Sequence, residues 1–188
     1  TFRICEAFPE HLTGKRDIDD VIFPEEMENI YSNLYKNHKL EAVFFRYLYF
    51  SGMRYFEGMA ISLADLFQGE MTEKSNIISK RIKIHDIKYF GYIVSDSQID
   101  EKYKRFPFKG RKEISEKYTR IIPITDKILW NELVDLAQTL FKKWNGSEAD
   151  KKNMFLFKGL DDTTASNRLK TAFTQCRLRY RSWHCCRH

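Results

Sequence analysis

The stretch of sequence that constrains the structure most is residues 48–65, LYFSGMRYFEGMAISLAD. Its first residues continue an apolar helical pattern that begins at Leu40, and Gly52 interrupts that pattern because glycine commonly ends a helix. We expect a short helix to start near Arg54 and to end at about Asp65. An arginine directly after such a break lies at a helix start, where free backbone N–H groups favour an anion.

A second group of phosphate-binding side chains lies in the last residues, SWHCCRH. Ser182 is expected to begin a helix there, because serine is a preferred N-terminal capping residue. Positions three apart on a helix share a face, so His184 and Arg187 can meet the same phosphate. A guanidinium binds phosphate oxygens bidentately, and a histidine exchanges protons near neutral pH.

The bulk composition indicates one basic domain. The chain has 188 residues, of which 43% are hydrophobic and 31% are charged, and its formal net charge is +6. It has no apolar run of the roughly 20 residues that span a bilayer, so we expect a cytoplasmic protein with no membrane partner. No acidic residue follows Asp162, but six basic residues do, and this bias favours a polyanion. They are Arg168, Lys170, Arg177, Arg179, Arg181 and Arg187.

The cysteines predict neither a disulfide framework nor a metal site. Cys185 and Cys186 are adjacent and rarely pair with each other, so reduced thiols are expected. His184 and His188 have the spacing of a zinc-binding helix, but the glutamate that should follow the first histidine is absent. We therefore expect no metal.

Periodicity along the chain predicts an α+β fold that is mainly helical, with a small antiparallel sheet or hairpin inserted among the helices. The predicted helices begin at Pro24, Leu40, Arg54, Thr125, Thr164 and Ser182. Alternating residues predict strands around Ile82 and Ile84 and from Phe90 to Val94, a hairpin that pairs 105–109 with 119–124, and a short strand over 154–157. Residues 1–22 are interpreted as a linker or the edge of a missing domain, and residues 23–188 as the main domain.

The string from Leu48 to Asp65 and the His-x-x-Arg-His ending resemble the two signature boxes of the tyrosine recombinase family, which includes phage integrases and Xer-like enzymes. The resemblance implies that residues 23–188 form the catalytic domain of that family without its C-terminal tyrosine-bearing segment. By the same resemblance, the missing domain next to residues 1–22 is expected to be an N-terminal DNA-binding domain. It also implies that Arg54, His184 and Arg187 are catalytic, and that Glu57 and His188 support them.

A catalytic lysine is the third element that the resemblance implies. Phe108-Lys109-Gly110, followed by a turn and Arg120-Ile121-Ile122-Pro123-Ile124, is similar to the lysine-bearing hairpin of the family. Lys109 is our candidate, and Lys80, Lys112 and Lys117 remain alternatives. The interval between Asp65 and Lys109 is long for the family, and the sequence indicates no role for this insertion.

The reaction implied by the resemblance is site-specific DNA recombination, as in integration by a mobile element. A tyrosine attacks a DNA phosphate and forms a 3′-phosphotyrosyl bond, within a homo-tetramer on double-stranded DNA and without a metal or cofactor. The nucleophile lies downstream of the second box in this family, Tyr180 precedes that box, and no tyrosine follows it here. We therefore expect the chain to bind DNA without cleaving it. The alternatives are a type IB topoisomerase-like enzyme and a non-catalytic DNA-binding remnant.

Overall fold

The structure is a computed structural model that describes residues 21–67, 91–99 and 104–187. Within these ranges the side chains of Phe67, Glu116, Glu148, Ala149 and Arg187 are not described. The helices are α1 (Pro24–Tyr35), α2 (Lys39–Ser51), α3 (Tyr55–Met59), α4 (Lys127–Phe141), α5 (Glu148–Lys151) and α6 (Asp162–Gln175). The strands are β1 (Leu66–Phe67), β2 (Gly91–Ser95), β3 (Ser97–Ile99), β4 (Arg105–Pro107) and β5 (Arg120–Ile124). Short 3₁₀ helices span Leu63–Asp65, Glu116–Tyr118 and Trp183–Arg187. This mixed, mainly helical architecture with small antiparallel sheets confirms the expected fold class at that level.

Two of the longer helices start where local chemistry predicts. In α1, Pro24 takes the first position and Glu26 accepts a hydrogen bond from the backbone N–H of Phe23 at 3.0 Å. In α4, Asp126 caps the helix by accepting the backbone N–H of Leu129 at 2.7 Å. Proline and acidic residues suit helix N-termini because the N–H groups there have no helical partner. None of the described helices is long and apolar enough to cross a membrane.

Helix α2 is the centre of the core, with every side chain from Glu41 to Leu48 buried. Its Arg46 is only 2% exposed, and the guanidinium donates to both carboxylate oxygens of Asp126 at 2.8 Å and to Glu28 at 2.8 Å. A buried guanidinium needs such partners because an unpaired charge in the core costs several kcal/mol. Arg46 thus ties α2 to α1 and to the start of α4.

The strands pair differently from our sequence prediction. β5 pairs with β2, with Ile122 opposite Ile93, and β2 also pairs with β1. β4 pairs with β3 in a separate sheet, so the predicted pairing of residues 105–109 with 119–124 is wrong. The two sheets differ in burial: Ile93 in β2 and Ile124 in β5 are both fully buried, whereas Phe106 in β4 is 43% exposed. Pairing with β2 therefore places β5 in the sheet that packs on the core.

The helix expected from Arg54 to Asp65 ends early, at Met59. The backbone of residues 61–63 instead binds an extended segment: Leu63 donates to Met154 and Leu156 donates to Ile61, both at 2.9 Å. These bonds satisfy the backbone better than continuing a helix that contains glycine and a β-branched residue. The residues 154–157 predicted as a short strand supply this partner through a single bridge, between Phe155 and Ser62.

Candidate functional site

Arg54 lies at the junction between α2 and α3. Helix α2 ends at Gly52, whose φ of 62° is left-handed and therefore suits glycine. The next residue, Met53, is 1% exposed and fixes the junction against the core. The side chain of Arg54 is 47% exposed, so a surface arginine directly follows a buried anchor residue.

Glu57 is the buried partner of this guanidinium. Its side chain is 1% exposed, and Oε1 accepts a hydrogen bond from Nη1 of Arg54 at 3.0 Å. Oε2 accepts the backbone N–H of Arg54 at 3.1 Å. One of the N–H groups expected to favour an external anion, that of Arg54, is therefore already taken by the Glu57 carboxylate.

Arg120, on β5, is the second cation on Glu57. Its Nη2 donates to Oε2 of Glu57, and its side chain is 40% exposed. The Arg120 guanidinium also lies 4.6 Å from the ring centroid of Phe108, a cation–π contact. One buried carboxylate thus joins α3 to the sheet and carries two partly exposed guanidiniums.

The protonation state of Glu57 follows from these contacts. Burial raises the pKa of the Glu57 carboxyl, but the hydrogen bonds from Arg120 and from the Arg54 backbone and side chain lower it further. The net direction is downward, so Glu57 stays ionised at neutral pH. The Arg54–Glu57–Arg120 cluster then has two positive charges and one negative charge, with the negative one buried.

Lys109 is linked to this cluster through its chain neighbour, Phe108. It follows Phe108, which is 8% exposed under Arg120, and it opens a turn in which Gly110 has a φ of 83°. The backbone N–H of Arg111 closes the turn by donating to the Phe108 carbonyl at 2.8 Å. Lys109 is exposed, as are the alternatives Lys112 and Lys117 in the same loop. Lys80 lies outside the described residues.

His184 is brought to the same region by its neighbour Trp183. The Trp183 ring is 6% exposed and packs on Tyr55, Phe44 and Phe45, with the Tyr55 centroid at 5.6 Å. Its Nε1 donates to Ser166 Oγ at 3.1 Å. Because Tyr55 follows Arg54 directly, this contact brings the two segments that carry Arg54 and His184 together.

The C-terminal segment is a 3₁₀ helix over Trp183–Arg187 rather than the α-helix expected from Ser182. Ser182 acts through its carbonyl, which accepts the backbone N–H of Cys185 at 3.0 Å. The segment is only five residues long, a length at which 3₁₀ helices are common, and its Trp183, Cys185 and Cys186 are buried. His184 is exposed. The backbone of Arg187 continues this turn, its side chain is not described, and His188 lies outside the described residues.

Sequence reasoning missed three members of this arrangement: Arg120, Phe108 and Trp183. Arg120 was noticed only as part of a strand motif, since nothing local indicates that it faces Glu57. One sequence signal for Phe108 and Trp183 is their position: each is an aromatic residue directly before an exposed candidate residue, Lys109 and His184 respectively. No three His, Cys, Asp or Glu side chains of residues 21–67, 91–99 and 104–187 are grouped closely enough to hold a metal ion.

Comparison with known proteins supports a likeness in fold. Neither the protein-family models nor the curated proteins give a match. Among solved structures, the chain is similar to the XerH site-specific recombinase, in a post-cleavage complex bound to its palindromic difH substrate. The likeness is one of fold. The TM-score is 0.50 at 13% sequence identity, and the match covers 90% of this chain but 40% of the recombinase chain.

Proposed function

We propose that the chain is the phosphate-binding part of a DNA strand-cleaving and rejoining domain of the tyrosine recombinase type. The partner is double-stranded DNA, bound at a backbone phosphate by Arg54, His184 and Arg187 with Lys109 beside it. The observation that carries this proposal is the contact of Trp183 with Tyr55, which joins the segment carrying Arg54 to the segment carrying His184.

The chemistry of these residues suits attack on a phosphodiester. Such attack builds negative charge on the non-bridging oxygens, and guanidiniums neutralise it without changing protonation state. The exposed side of the Arg54–Glu57–Arg120 cluster is cationic because its carboxylate is buried. His184 would hold or move a proton at the phosphate, and Lys109 would protonate the leaving 5′ oxygen. Arg187 and His188 enter this proposal by their sequence positions alone.

The similarity to the XerH site-specific recombinase, a protein bound to DNA, supports the same assignment at the level of fold. Recombination between specific sites, action as a tetramer and a mobile-element origin are further parts of the proposal, and they depend on the sequence resemblance. An enzyme of this type also needs a tyrosine nucleophile.

DNA binding is the first test. A fluorescently labelled duplex is titrated with the chain at a series of salt concentrations and followed by anisotropy. Arg54→Met is expected to weaken binding about tenfold, since a charge-assisted hydrogen bond to phosphate is lost. Lys39→Met is the matched control because Lys39 is 53% exposed, pairs with a largely buried glutamate, Glu132, and belongs to neither group of candidate residues. Equal affinity of the Arg54 variant and the wild type would contradict the proposal.

Cleavage is tested with the complete gene product that contains this chain. The protein is incubated with sheared genomic duplex, denatured, and covalent protein–DNA adducts are recovered and sequenced. We expect adducts at the 3′ ends of one sequence class, absent in Arg54→Met. DNA binding without any adduct would favour the second candidate, a DNA-binding module that does not cut.

A further inference from the structure

The two oxygens of Glu57 are divided between the two arginines. Oε1 accepts one N–H from the Arg54 side chain at 3.0 Å, while Oε2 accepts the Arg54 backbone N–H and Nη2 of Arg120. Arg54 therefore gives a single side-chain donor to the carboxylate. The remaining donors of its guanidinium, which is 47% exposed, stay available to an external anion.

Without Arg120 this division would not hold. A lone arginine and a carboxylate prefer the bidentate arrangement, in which two N–H groups meet both oxygens. Arg54 would then turn toward Glu57 and lose donors that point outward. The pair would also be neutral, whereas the present cluster of two guanidiniums and one carboxylate has a net positive charge.

Arg120 is itself held in place from two sides. Its backbone is paired with Ser95 in the sheet, and its guanidinium lies against the Phe108 ring. Its Nε is buried and has no hydrogen-bond partner among the described residues, so the edge of the guanidinium that includes Nε does not face solvent. Arg120 is still 40% exposed, but its buried Nε and its bond to Glu57 leave it fewer outward donors than Arg54.

We propose that Arg120 is a positioning residue of the phosphate site: it occupies Oε2 of Glu57 and thereby keeps Arg54 free to bind a DNA phosphate. This inference rests on the proposed function, because it assigns Arg54 to phosphate. Through its contact with Phe108, Arg120 also connects the phosphate site to the loop from Phe108 to Thr119, which carries Lys109.

The test is a double-mutant cycle in the whole chain, read by duplex DNA affinity and by its salt dependence. Arg120→Met keeps the aliphatic stem on Phe108 and removes the donor. It is expected to weaken binding about tenfold, as Arg54→Met does, and to lower the slope of log affinity against log salt by about 0.9, one phosphate contact. In a Glu57→Gln background the carboxylate no longer competes for Arg54, and Arg120→Met is expected to have no further effect.

Two results would overturn this inference. Wild-type affinity in Arg120→Met would show that Arg54 does not need its neighbour. An undiminished effect of Arg120→Met in the Glu57→Gln background would make Arg120 a direct phosphate ligand. The affinity of Arg54→Met separates the two proposals, since an unchanged affinity there contradicts the proposed function itself. Lys39→Met is again the control.

Arg120→Lys keeps the test decisive if the methionine variant unfolds. Lysine supplies one charge-assisted donor to Oε2, which is all that Arg120 gives now. The lysine variant is therefore expected to bind DNA within about twofold of the wild type, since the charge-assisted bond to Glu57 is kept. Binding as weak as that of Arg54→Met would contradict the positioning role.

Discussion

The ring centroids of Tyr55 and Trp183 lie 5.6 Å apart, and each residue is the chain neighbour of a candidate site residue. Tyr55 follows Arg54, and Trp183 precedes His184. The rings of Phe44 and Phe45 on α2 complete the cluster around Trp183. The relative placement of the segments that carry Arg54 and His184 thus depends on an aromatic contact between their chain neighbours.

Replacing Trp183 should separate these segments. Trp183→Ala is expected to lower the free energy of unfolding by about 3–5 kcal/mol, the usual cost of removing a large buried aromatic side chain. Trp183→Phe keeps most of the packing and loses the hydrogen bond to Ser166, so about 1 kcal/mol is expected. Urea denaturation followed by circular dichroism measures both. Equal losses in the two variants would show that the hydrogen bond, and not the packing, holds the segment.

The pair of Arg46 and Asp126 predicts a pH-dependent contribution to stability. Burial raises the pKa of the Asp126 carboxyl, but hydrogen bonds from Arg46 and from the Leu129 N–H lower it further, to a value below its ordinary range. A lowered folded-state pKa gives stability that is complete above the unfolded-state pKa and is lost as the pH falls through the folded-state value.

Asp126→Asn is therefore expected to cost about 2–3 kcal/mol at neutral pH and progressively less as the pH falls below 4. Urea midpoints measured across that range give the difference between variant and wild type. Glu28→Gln is the control, since Glu28 is 49% exposed and its pair with Arg46 is worth under about 1 kcal/mol. A difference between Asp126→Asn and wild type that does not change with pH would contradict this account.

Two glycines should respond to alanine for different reasons. A Cβ at Gly91 would lie 2.0 Å from the Trp130 ring, so Gly91→Ala forces β2 away from α4. Overpacking of this kind costs about 1–3 kcal/mol or more. A Cβ at Gly110 meets nothing within 4 Å, and only its φ of 83° opposes alanine, at about 1 kcal/mol. Thermal unfolding should rank Gly91→Ala as the more damaging change, and the reverse order would contradict the close packing against Trp130.

The lysine assignment is tested in the complete gene product, on a DNA substrate whose leaving 5′ oxygen is replaced by sulfur. Lys109→Ala is expected to slow cleavage of normal DNA about a hundredfold, as loss of a general acid does. The thiol leaving group needs no proton, so the substituted substrate should restore the rate. Lys112→Ala and Lys117→Ala are matched controls in the same loop. Rescue of either control instead would move the assignment to that lysine.

The helices could be predicted from the sequence because their signals are local. Pro24 and Glu26 begin α1, Asp126 begins α4, and Gly52 ends α2, each through contacts within a few residues. Strand pairing is a choice among distant segments that depends on relative burial. The sequence shows β5 as a strand, but it does not show that Ile93 rather than Phe106 lies beside it.

In the candidate site, too, local contacts could be predicted from the sequence and long-range contacts could not. The interaction between Arg54 and Glu57 follows from their spacing, and the structure contains it. The bond from Arg120 to Glu57 depends on the register of β5 against β2, so reasoning from spacing alone missed it. Whether Arg187, His188 and Lys109 act on one phosphate stays a prediction.

The buried thiols of Cys185 and Cys186 can report on opening of the C-terminal turn. Their side chains are 6% and 4% exposed, so a thiol reagent reaches them only after the turn lifts away from α2. Burial also raises the pKa of the Cys186 thiol, after the larger effect of its hydrogen bond with Cys185. Their labelling rate, with half-buried Cys176 as internal reference, therefore measures how often the segment that carries His184 opens. Thiol labelling can therefore follow the opening of the candidate site without any change to the sequence.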